Sequence, residues 1–209
     1  METKDSYSKI AHFLILIPHR DAGNCLVNYR EKLFAAGFCG AYSFPPAAPL
    51  ARISRPFSRE ELKETARNIR KETAENDEKL QSGGTALLKF AGNAGSKTAA
   101  LEEADKNPAF LEQLSLFGLL LNFPRSEDIF PQAARNRLIR VFFPSMLCAA
   151  ILSPEENSPS ETPASPDLPE LSFRAASLAN LTIRPLDHGD PSYSFRWTMS
   201  APVWLPKHK

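Results

Sequence analysis

The sequence lacks the long apolar segments and the charge excess that mark membrane proteins and nucleic-acid-coating proteins. No apolar run approaches the roughly 18–20 residues that a helix needs to span a bilayer. The run FLILI near the N-terminus is short and follows acidic residues, so we expect a first strand and not a signal peptide. The formal net charge is +1, which excludes a global attraction to nucleic acid or anionic membrane but leaves a local basic patch open.

Cysteine is scarce and scattered. The chain has three cysteines, Cys25, Cys39 and Cys148, and no C-x-x-C pair. An odd number of dispersed cysteines is typical of reduced, buried thiols, so we expect a cytoplasmic location. Metal sites need clustered Cys and His ligands, so we predict no metal and no other cofactor.

Recognisable catalytic motifs are also missing. The sequence has no G-x-S-x-G nucleophile elbow, and its stretch at 92–98 departs from a phosphate-binding P-loop because Ser96 separates Gly95 from Lys97. None of the four histidines has a partner at the spacing of a metal site or a catalytic triad: His12, His19, His188 and His208. These motifs therefore assign no catalytic residue.

What is present is the composition of an ordinary globular domain. Of the 209 residues, 43% are hydrophobic and 23% are charged. We predict a single domain over residues 1–209, a length that can bury a core. The acidic, proline-rich stretch 153–170 has too little apolar surface to offset its chain entropy, so we predict a mobile loop within that domain. A linker between two domains is the alternative.

Hydrophobic periodicity predicts strands and helices in the first third of the chain. His12–Pro18 is a short strand bounded by proline. A helix follows, with Asn24 as N-cap and Gly37 as the stop. Its apolar positions are Leu26, Tyr29 and Leu33. A second short strand is predicted at Leu50–Ser54.

Two further elements have clear signatures. Ser58 and Glu61 have the S-x-x-E spacing of a capping box, so an amphipathic helix should begin there. Its apolar face comprises Leu62, Ala66 and Ile69. Near the C-terminus, residues 173–184 and 193–200 alternate apolar and polar positions on either side of PLDHGDP, which predicts an antiparallel hairpin with one buried face.

The order of these elements resembles that of a known superfamily. A strand, a helix, a strand followed by SRPF, a capped helix, further strands, the run FFPSMLCAAIL and a final hairpin are similar to the 2H phosphoesterases. This superfamily includes 2′-5′ RNA ligase-like proteins and cyclic nucleotide phosphodiesterases. The resemblance covers most of the chain. It implies a bilobal α+β fold, in which two pseudo-equivalent halves carry antiparallel sheets that face a central cleft, with helices outside.

The resemblance also implies that the catalytic motifs of the family are replaced in this chain. Each half of the family fold contributes one H-x-[TS] motif to the cleft. The first motif aligns with Leu50 and Arg52, and the second with Ser145 and Leu147. No histidine of this chain is followed two residues later by Ser or Thr. The family uses one imidazole as general base and the other as general acid, each typically worth about 10²–10⁴ in rate. We therefore assign no catalytic residue.

Three functions stay open at this point. A catalytically degenerate protein would bind a phosphate-bearing ligand, an RNA end or a protein partner in the vestigial cleft, with Arg52 and Ser145 as phosphate-binding residues. An active 2′-5′ RNA ligase-like or cyclic phosphodiesterase-type hydrolase would use displaced groups such as His19, Lys89 or Arg55. A histidine nitrogen close to Arg52 would favour this second function. A scaffold with no small-molecule role would have a filled cleft.

Overall fold

The computed structural model of the chain describes residues 10–18, 20–38, 40, 44–76, 82–89, 115–121, 127–142, 145–152, 176–185 and 195–205. Within these ranges some residues are described by their backbone alone, among them Ser145 and Leu147. The loop predicted at 153–170 lies outside the described residues, as do His19 and His188. His208 lies outside them as well.

The described ranges contain two α-helices, two 3-10 turns and nine strands. The helices are α1 (Arg20–Ala35) and α2 (Arg59–Asn76), and the 3-10 turns are Glu127–Ile129 and Gln132–Arg137. The strands are β1 (Ala11–Ile17), β2 (Ala48–Ile53), β3 (Ser82–Lys89), β4 (Ser115–Leu121), β5 (Leu138–Val141), β6 (Ser145–Leu152), β7 (Ser177–Pro185), β8 (Phe195–Met199) and β9 (Val203–Trp204).

The strands form two antiparallel sheets. The main sheet has the order β5-β2-β1-β7-β8, and β9 also pairs with β7. The second sheet has the order β3-β4-β6. Every strand pair in the described part of the chain is antiparallel, so the predicted α+β class is confirmed and a doubly wound parallel sheet is excluded for these strands.

Strand β1 is buried on both faces. Because side chains alternate along a strand, Phe13 and Leu14 point to opposite sides of the main sheet. Phe13 lies in an aromatic core, with its ring centroid 6.2 Å from those of Phe44 and Phe142. Leu14 lies in a helix-side core that also holds the buried faces of α1 and α2. The main sheet therefore separates two apolar layers.

Helix α1 is longer than its sequence signals predict. It begins at Arg20, so the prediction of Asn24 as N-cap is wrong. The acidic Asp21 in the first turn favours the earlier start, because a negative charge stabilises the positive end of the helix dipole. The predicted stop at Gly37 is confirmed, with φ at 97°. The backbone N–H of Phe38 bonds to the carbonyl of Leu33 at 3.0 Å, which completes a Schellman motif.

Helix α2 opens with the predicted capping box. The N–H of Ser58 donates to Glu61 Oε2 at 2.7 Å, and the N–H of Glu61 donates to Ser58 Oγ at 3.3 Å. The predicted apolar face is confirmed, since Leu62, Ala66 and Ile69 are buried in the helix-side core. Glu61 also forms an ion pair with the buried Arg137, whose guanidinium lies 4.9 Å from the centroid of the Phe57 ring. The cap is thereby joined to the segment that leads into β5.

The C-terminal hairpin is confirmed, but only its first strand, β7, has the predicted buried face. Strands β7 and β8 pair with Thr182 opposite Thr198. The alternation predicts Trp197 and Met199 on the buried face, and this prediction is wrong because they are 37% and 42% exposed. Strand β8 lies at the edge of the main sheet and pairs only with β7 within the described residues. The aromatic core therefore does not extend across it.

We predict that Glu61→Gln lowers the free energy of unfolding at neutral pH by about 1.5–3 kcal/mol, the range for hydrogen bonds to a charged group. Burial opposes ionisation of Glu61, but the hydrogen bonds from Ser58 and the charge of Arg137 outweigh it and hold the pKa of Glu61 below its ordinary value. The stability that the carboxylate contributes is therefore present above the ordinary carboxyl pKa, and it is lost as the pH falls through the lowered pKa.

Urea unfolding of wild type and variant at neutral and acidic pH checks this prediction. The matched control is Glu60→Gln, because Glu60 is exposed and its ion pair with Lys63 is long, at 3.4 Å. The effect of Glu61→Gln should shrink at acidic pH, where wild-type Glu61 is itself protonated. Equal losses of stability for the two variants would contradict the role assigned to Glu61.

Candidate functional site

Strand β2 carries one charged residue in an otherwise apolar strand. It lies between β1 and β5, and all six of its residues, APLARI, are buried. Arg52 is only 6% exposed. Burial of a charged group is costly unless the group is hydrogen-bonded or paired. An arginine at the centre of a sheet is therefore an unusual feature of this fold.

The register of the main sheet defines the surroundings of Arg52. Arg52 lies directly opposite Phe13 on β1 and Arg140 on β5. Directly opposed residues of antiparallel strands project from the same face of a sheet. Arg52 therefore belongs to the face that carries the aromatic core, away from the helices. This face lies on the same side as Leu116 and Cys148 of the second sheet, which are part of that core.

Arg140 is the second cation of this face. Its guanidinium lies 5.2 Å from the centroid of the Phe142 ring, within the range of a cation–π interaction. Burial lowers the pKa of Arg140 from its ordinary value. Arg52 is buried and Arg140 is half-buried, so the two cations lie at the border of the aromatic core, where Arg140 is reachable by solvent. Two such cations can bind a phosphate or carboxylate group with several N–H donors.

Leu50 does not share this face with Arg52. Leu14 pairs with Ala51 and Ile15 pairs with Pro49, so Leu50 is an extra residue without a partner on β1. This β-bulge changes the alternation of side chains, and Leu50 lies in the helix-side core at 1% exposure. The two positions that align with the first H-x-[TS] motif therefore project to different sides of the sheet.

The second pair of aligned positions lies on β6. Ser145 and Leu147 have Leu121 and Leu119 of β4 as their backbone partners. Their side chains lie outside the described part of the structure. Strand β6 runs close to the start of β2, because the N–H of Cys148 donates to the carbonyl of Ala47 at 3.0 Å. The backbones of the two aligned strands are thus neighbours.

The one described histidine lies on the opposite face. His12 is opposite Ile53, adjacent to Phe13 in sequence, and its Nδ1 lies 3.0 Å from Thr182 Oγ1 on the helix side of β1. Among the residues whose side chains are described, no imidazole lies on the face of Arg52. Arg55 is exposed beyond the end of β2. His19 and the side chain of Lys89 lie outside the described residues.

Sequence reasoning missed Arg140. The segment RLIRVFF is rich in β-branched and aromatic residues, which favours a strand, but no local signal says which strand it joins. The pairing of Arg140 with Arg52 comes from the long-range register of β5 on β2. Such a register depends on contacts between segments about ninety residues apart in sequence, which local periodicity cannot specify. The signal available in the sequence was that two apolar segments, APLARI and RLIRVFF, each contain an arginine within them.

Comparison with protein-family models, with curated proteins and with solved structures finds no match for this chain. Neither of the helices that the structure describes is long and apolar enough to cross a membrane. In the described ranges, no three His, Cys, Asp or Glu side chains are grouped so that they could hold a metal ion. The candidate site is therefore defined by its own geometry, centred on Arg52 and Arg140.

We predict that the Arg52–Arg140 pair has an unfavourable coupling energy in the ligand-free protein. Like charges placed directly opposite each other on neighbouring strands cost about 0.2–1 kcal/mol. A double-mutant cycle with Arg52→Met and Arg140→Met, followed by urea unfolding at low ionic strength, measures this term separately from the other contacts of each residue. The control cycle combines Arg52→Met with Arg67→Met on the exposed face of α2, and it should be additive. A favourable or zero coupling between Arg52 and Arg140 would contradict this prediction.

Proposed function

We propose that this chain is a catalytically degenerate 2H phosphoesterase-like protein that binds a phosphate-bearing ligand through Arg52. The observation that carries the proposal is the opposition of Arg52 and Arg140 on one face of the main sheet. Arginine is well suited to this role, because its planar fork donates two parallel hydrogen bonds to phosphate oxygens. The ligand class would be an RNA end or a nucleotide-like phosphate, and an acidic group of a protein partner would fit the same donors.

The bilobal architecture is part of this proposal. Support for it comes from two antiparallel sheets that share the aromatic core and from the contact between β6 and the start of β2. In the superfamily that the sequence resembles, the two motif-bearing strands face one cleft. Because Phe13, Phe44 and Phe142 fill this core, we place the proposed site at its border. Arg52 and Arg140 of the main sheet would bind the ligand there, with Ser145 of β6 as a further hydrogen-bond donor.

Loss of catalysis follows from the residue types and from the bulge. Leucine can neither accept nor donate a proton, and serine is not a base near neutral pH. Because the bulge at Leu50 breaks the alternation on β2, this strand does not present two side chains at i and i+2 to one cleft. The proposed function is therefore binding without turnover. The free thiols of Cys25 and Cys148 are consistent with the cytoplasmic location that we propose.

We predict that the purified protein does not hydrolyse 2′,3′-cyclic adenosine monophosphate and does not join 2′-5′ RNA ends. Each missing imidazole removes about 10²–10⁴ in rate. Chromatographic separation of the reaction products checks the prediction, with a parallel preparation of Arg52→Gln as a control for contaminating hydrolases. Turnover that is present in wild type and lost on His19→Ala would instead assign the alternative, an active enzyme with displaced groups.

We predict that Arg52→Gln weakens the binding of adenosine 2′-monophosphate by about 1.5–3 kcal/mol, the value of a hydrogen bond to a charged group. Isothermal titration calorimetry measures the affinity. Arg52→Lys keeps the charge but loses the bidentate fork, so it should recover only part of the loss. Arg140→Gln should also weaken binding, because its guanidinium belongs to the same face.

Arg55→Gln is the matched control for these variants. Arg55 lies three residues after Arg52 in the sequence, but it is exposed beyond the end of β2. Its replacement should leave the affinity unchanged, and circular dichroism should verify that each variant is folded. Unchanged affinity in both folded Arg52→Gln and folded Arg140→Gln would refute the proposed site. Absence of any binding by wild type would refute the nucleotide-like ligand class.

A further inference from the structure

A group of polar side chains lies at one end of the helix side of the main sheet. His12, Thr182 and Thr198 stand in one row across β1, β7 and β8, because His12 pairs with Thr182 and Thr182 pairs with Thr198. Arg184 and Arg196 form the next row. Residues two apart on a strand project from the same face, so all five share one surface, here named the β7–β8 patch. It faces away from Arg52.

The arginines of the β7–β8 patch have an arrangement that the fold itself does not need. Arg184 and Arg196 are directly opposed on neighbouring strands, and both are exposed. Within the described residues, neither guanidinium forms an ion pair or a hydrogen bond. Two like charges at about 5 Å between Cβ atoms repel each other. An anion between them would convert this repulsion into two attractive contacts.

The second row of the patch supplies neutral polar groups. His12 is half-buried, and its ring is held by the 3.0 Å contact between Nδ1 and Thr182 Oγ1. Thr198 is exposed on the other side of Thr182 and offers a further hydroxyl. A row of hydroxyl and imidazole groups next to two arginines is a suitable set of donors for the oxygens of a phosphate.

The charges of the arginine row affect the protonation of His12 in the neighbouring row. Burial, and to a smaller extent the charge of Arg184, hold the pKa of His12 below its ordinary value. The neighbours of His12 in the sheet are Ile53 on β2 and Thr182 on β7, with Arg184 and Arg196 as the charged groups of the adjacent row. An anion bound by the arginines would cancel part of their field and raise the pKa of His12. Binding should therefore take up protons.

We propose that the β7–β8 patch is a second phosphate-binding site, in which Arg184 and Arg196 hold the phosphate oxygens and His12, Thr182 and Thr198 line its inner side. The phosphate can belong to a small ligand or to the backbone of RNA, since the two sources present the same oxygens. This inference does not depend on the function proposed for Arg52, because the two sites lie on opposite faces of the sheet.

The test is an NMR titration of the isotope-labelled full chain with sodium sulfate, against sodium chloride at equal ionic strength. Sulfate serves as the probe because, unlike phosphate, it does not titrate in the range where imidazole does. We expect sulfate to shift the amide signals of β7 and β8. The half-saturating concentration of sulfate should rise by at least about threefold in Arg184→Gln and in Arg196→Gln. This is the effect of losing one exposed charge-assisted contact.

Two control variants distinguish binding at the β7–β8 patch from binding at other arginines. Arg67→Gln removes an exposed arginine of α2 and should leave the titration unchanged. Arg55→Gln removes an exposed arginine beyond the end of β2 and should also leave it unchanged. In wild type, the affinity for sulfate should fall as the pH rises through the pKa of His12, because the protonated imidazole attracts the anion. In His12→Asn the affinity should no longer depend on pH in this range, while the binding to both arginines persists.

A short single-stranded oligouridylate then identifies the source of the phosphate. Binding of this RNA that weakens in Arg196→Gln would assign the site to a nucleic-acid backbone, whereas sulfate binding without RNA binding would assign it to a small phosphate-bearing ligand. Either result supports the site. The proposal is overturned if sulfate shifts no signal of β7 or β8, or if it binds Arg184→Gln and Arg196→Gln as tightly as wild type.

Discussion

The burial of β1 on both faces is the constraint on which the rest of the structure depends. A strand with one solvent-exposed face needs only one apolar layer, but β1 alternates Phe13 and Leu14 into two separate cores. Each side must then have its own apolar cover. The helices and Leu119 of β4 cover the side of Leu14, and Phe44, Phe142 and two residues of the second sheet, Leu116 and Cys148, cover the side of Phe13. Asn180, a polar residue opposite Leu14, is accommodated in the helix-side cover because the backbone of Phe57 satisfies its amide.

Three arginines among the described residues are buried, and they have different neighbours. Arg30 donates to the carbonyl of Phe44, and Arg137 donates to Glu61 and to the carbonyl of Pro56. Both of these arginines tie one element of the fold to another. Arg52 has another cation, Arg140, as its neighbour across the strands. This opposition of two cations is the arrangement on which the proposed phosphate site rests.

The sequence predicted those features that depend on neighbours in the chain. The capping box at Ser58, the stop at Gly37 and the strands on either side of α1 need only local periodicity and the conformations that particular residues prefer. The bulge at Leu50 could not be predicted in this way, because it arises from the pairing of β2 with β1. The exposure of Trp197 follows from the position of β8 at the sheet edge, and alternation within a strand contains no information about that position.

The same distinction applies to the candidate sites. Arg52 could be singled out from its context in the chain, but its opposition to Arg140 is a product of sheet order. His12 and Arg184 lie far apart in sequence and meet only because β1 and β7 are neighbours. Both sites are thus made by antiparallel register, on opposite faces of the main sheet.

Alternation on the strands also keeps the two sites independent. Arg52 lies on β2 and Arg196 on β8, three strand spacings away in the main sheet, or about 14 Å at about 4.8 Å per spacing. The thickness of the sheet adds to this separation. Effects of substitutions at such distances usually add within a few tenths of a kcal/mol when no partner is shared. A ligand that engaged both arginines at once would have to pass around an edge of the sheet, and β8 is the edge on the side of Arg196. A small nucleotide cannot span that path, whereas an RNA strand can, so simultaneous loss of affinity at both faces would be expected only for a polymeric ligand.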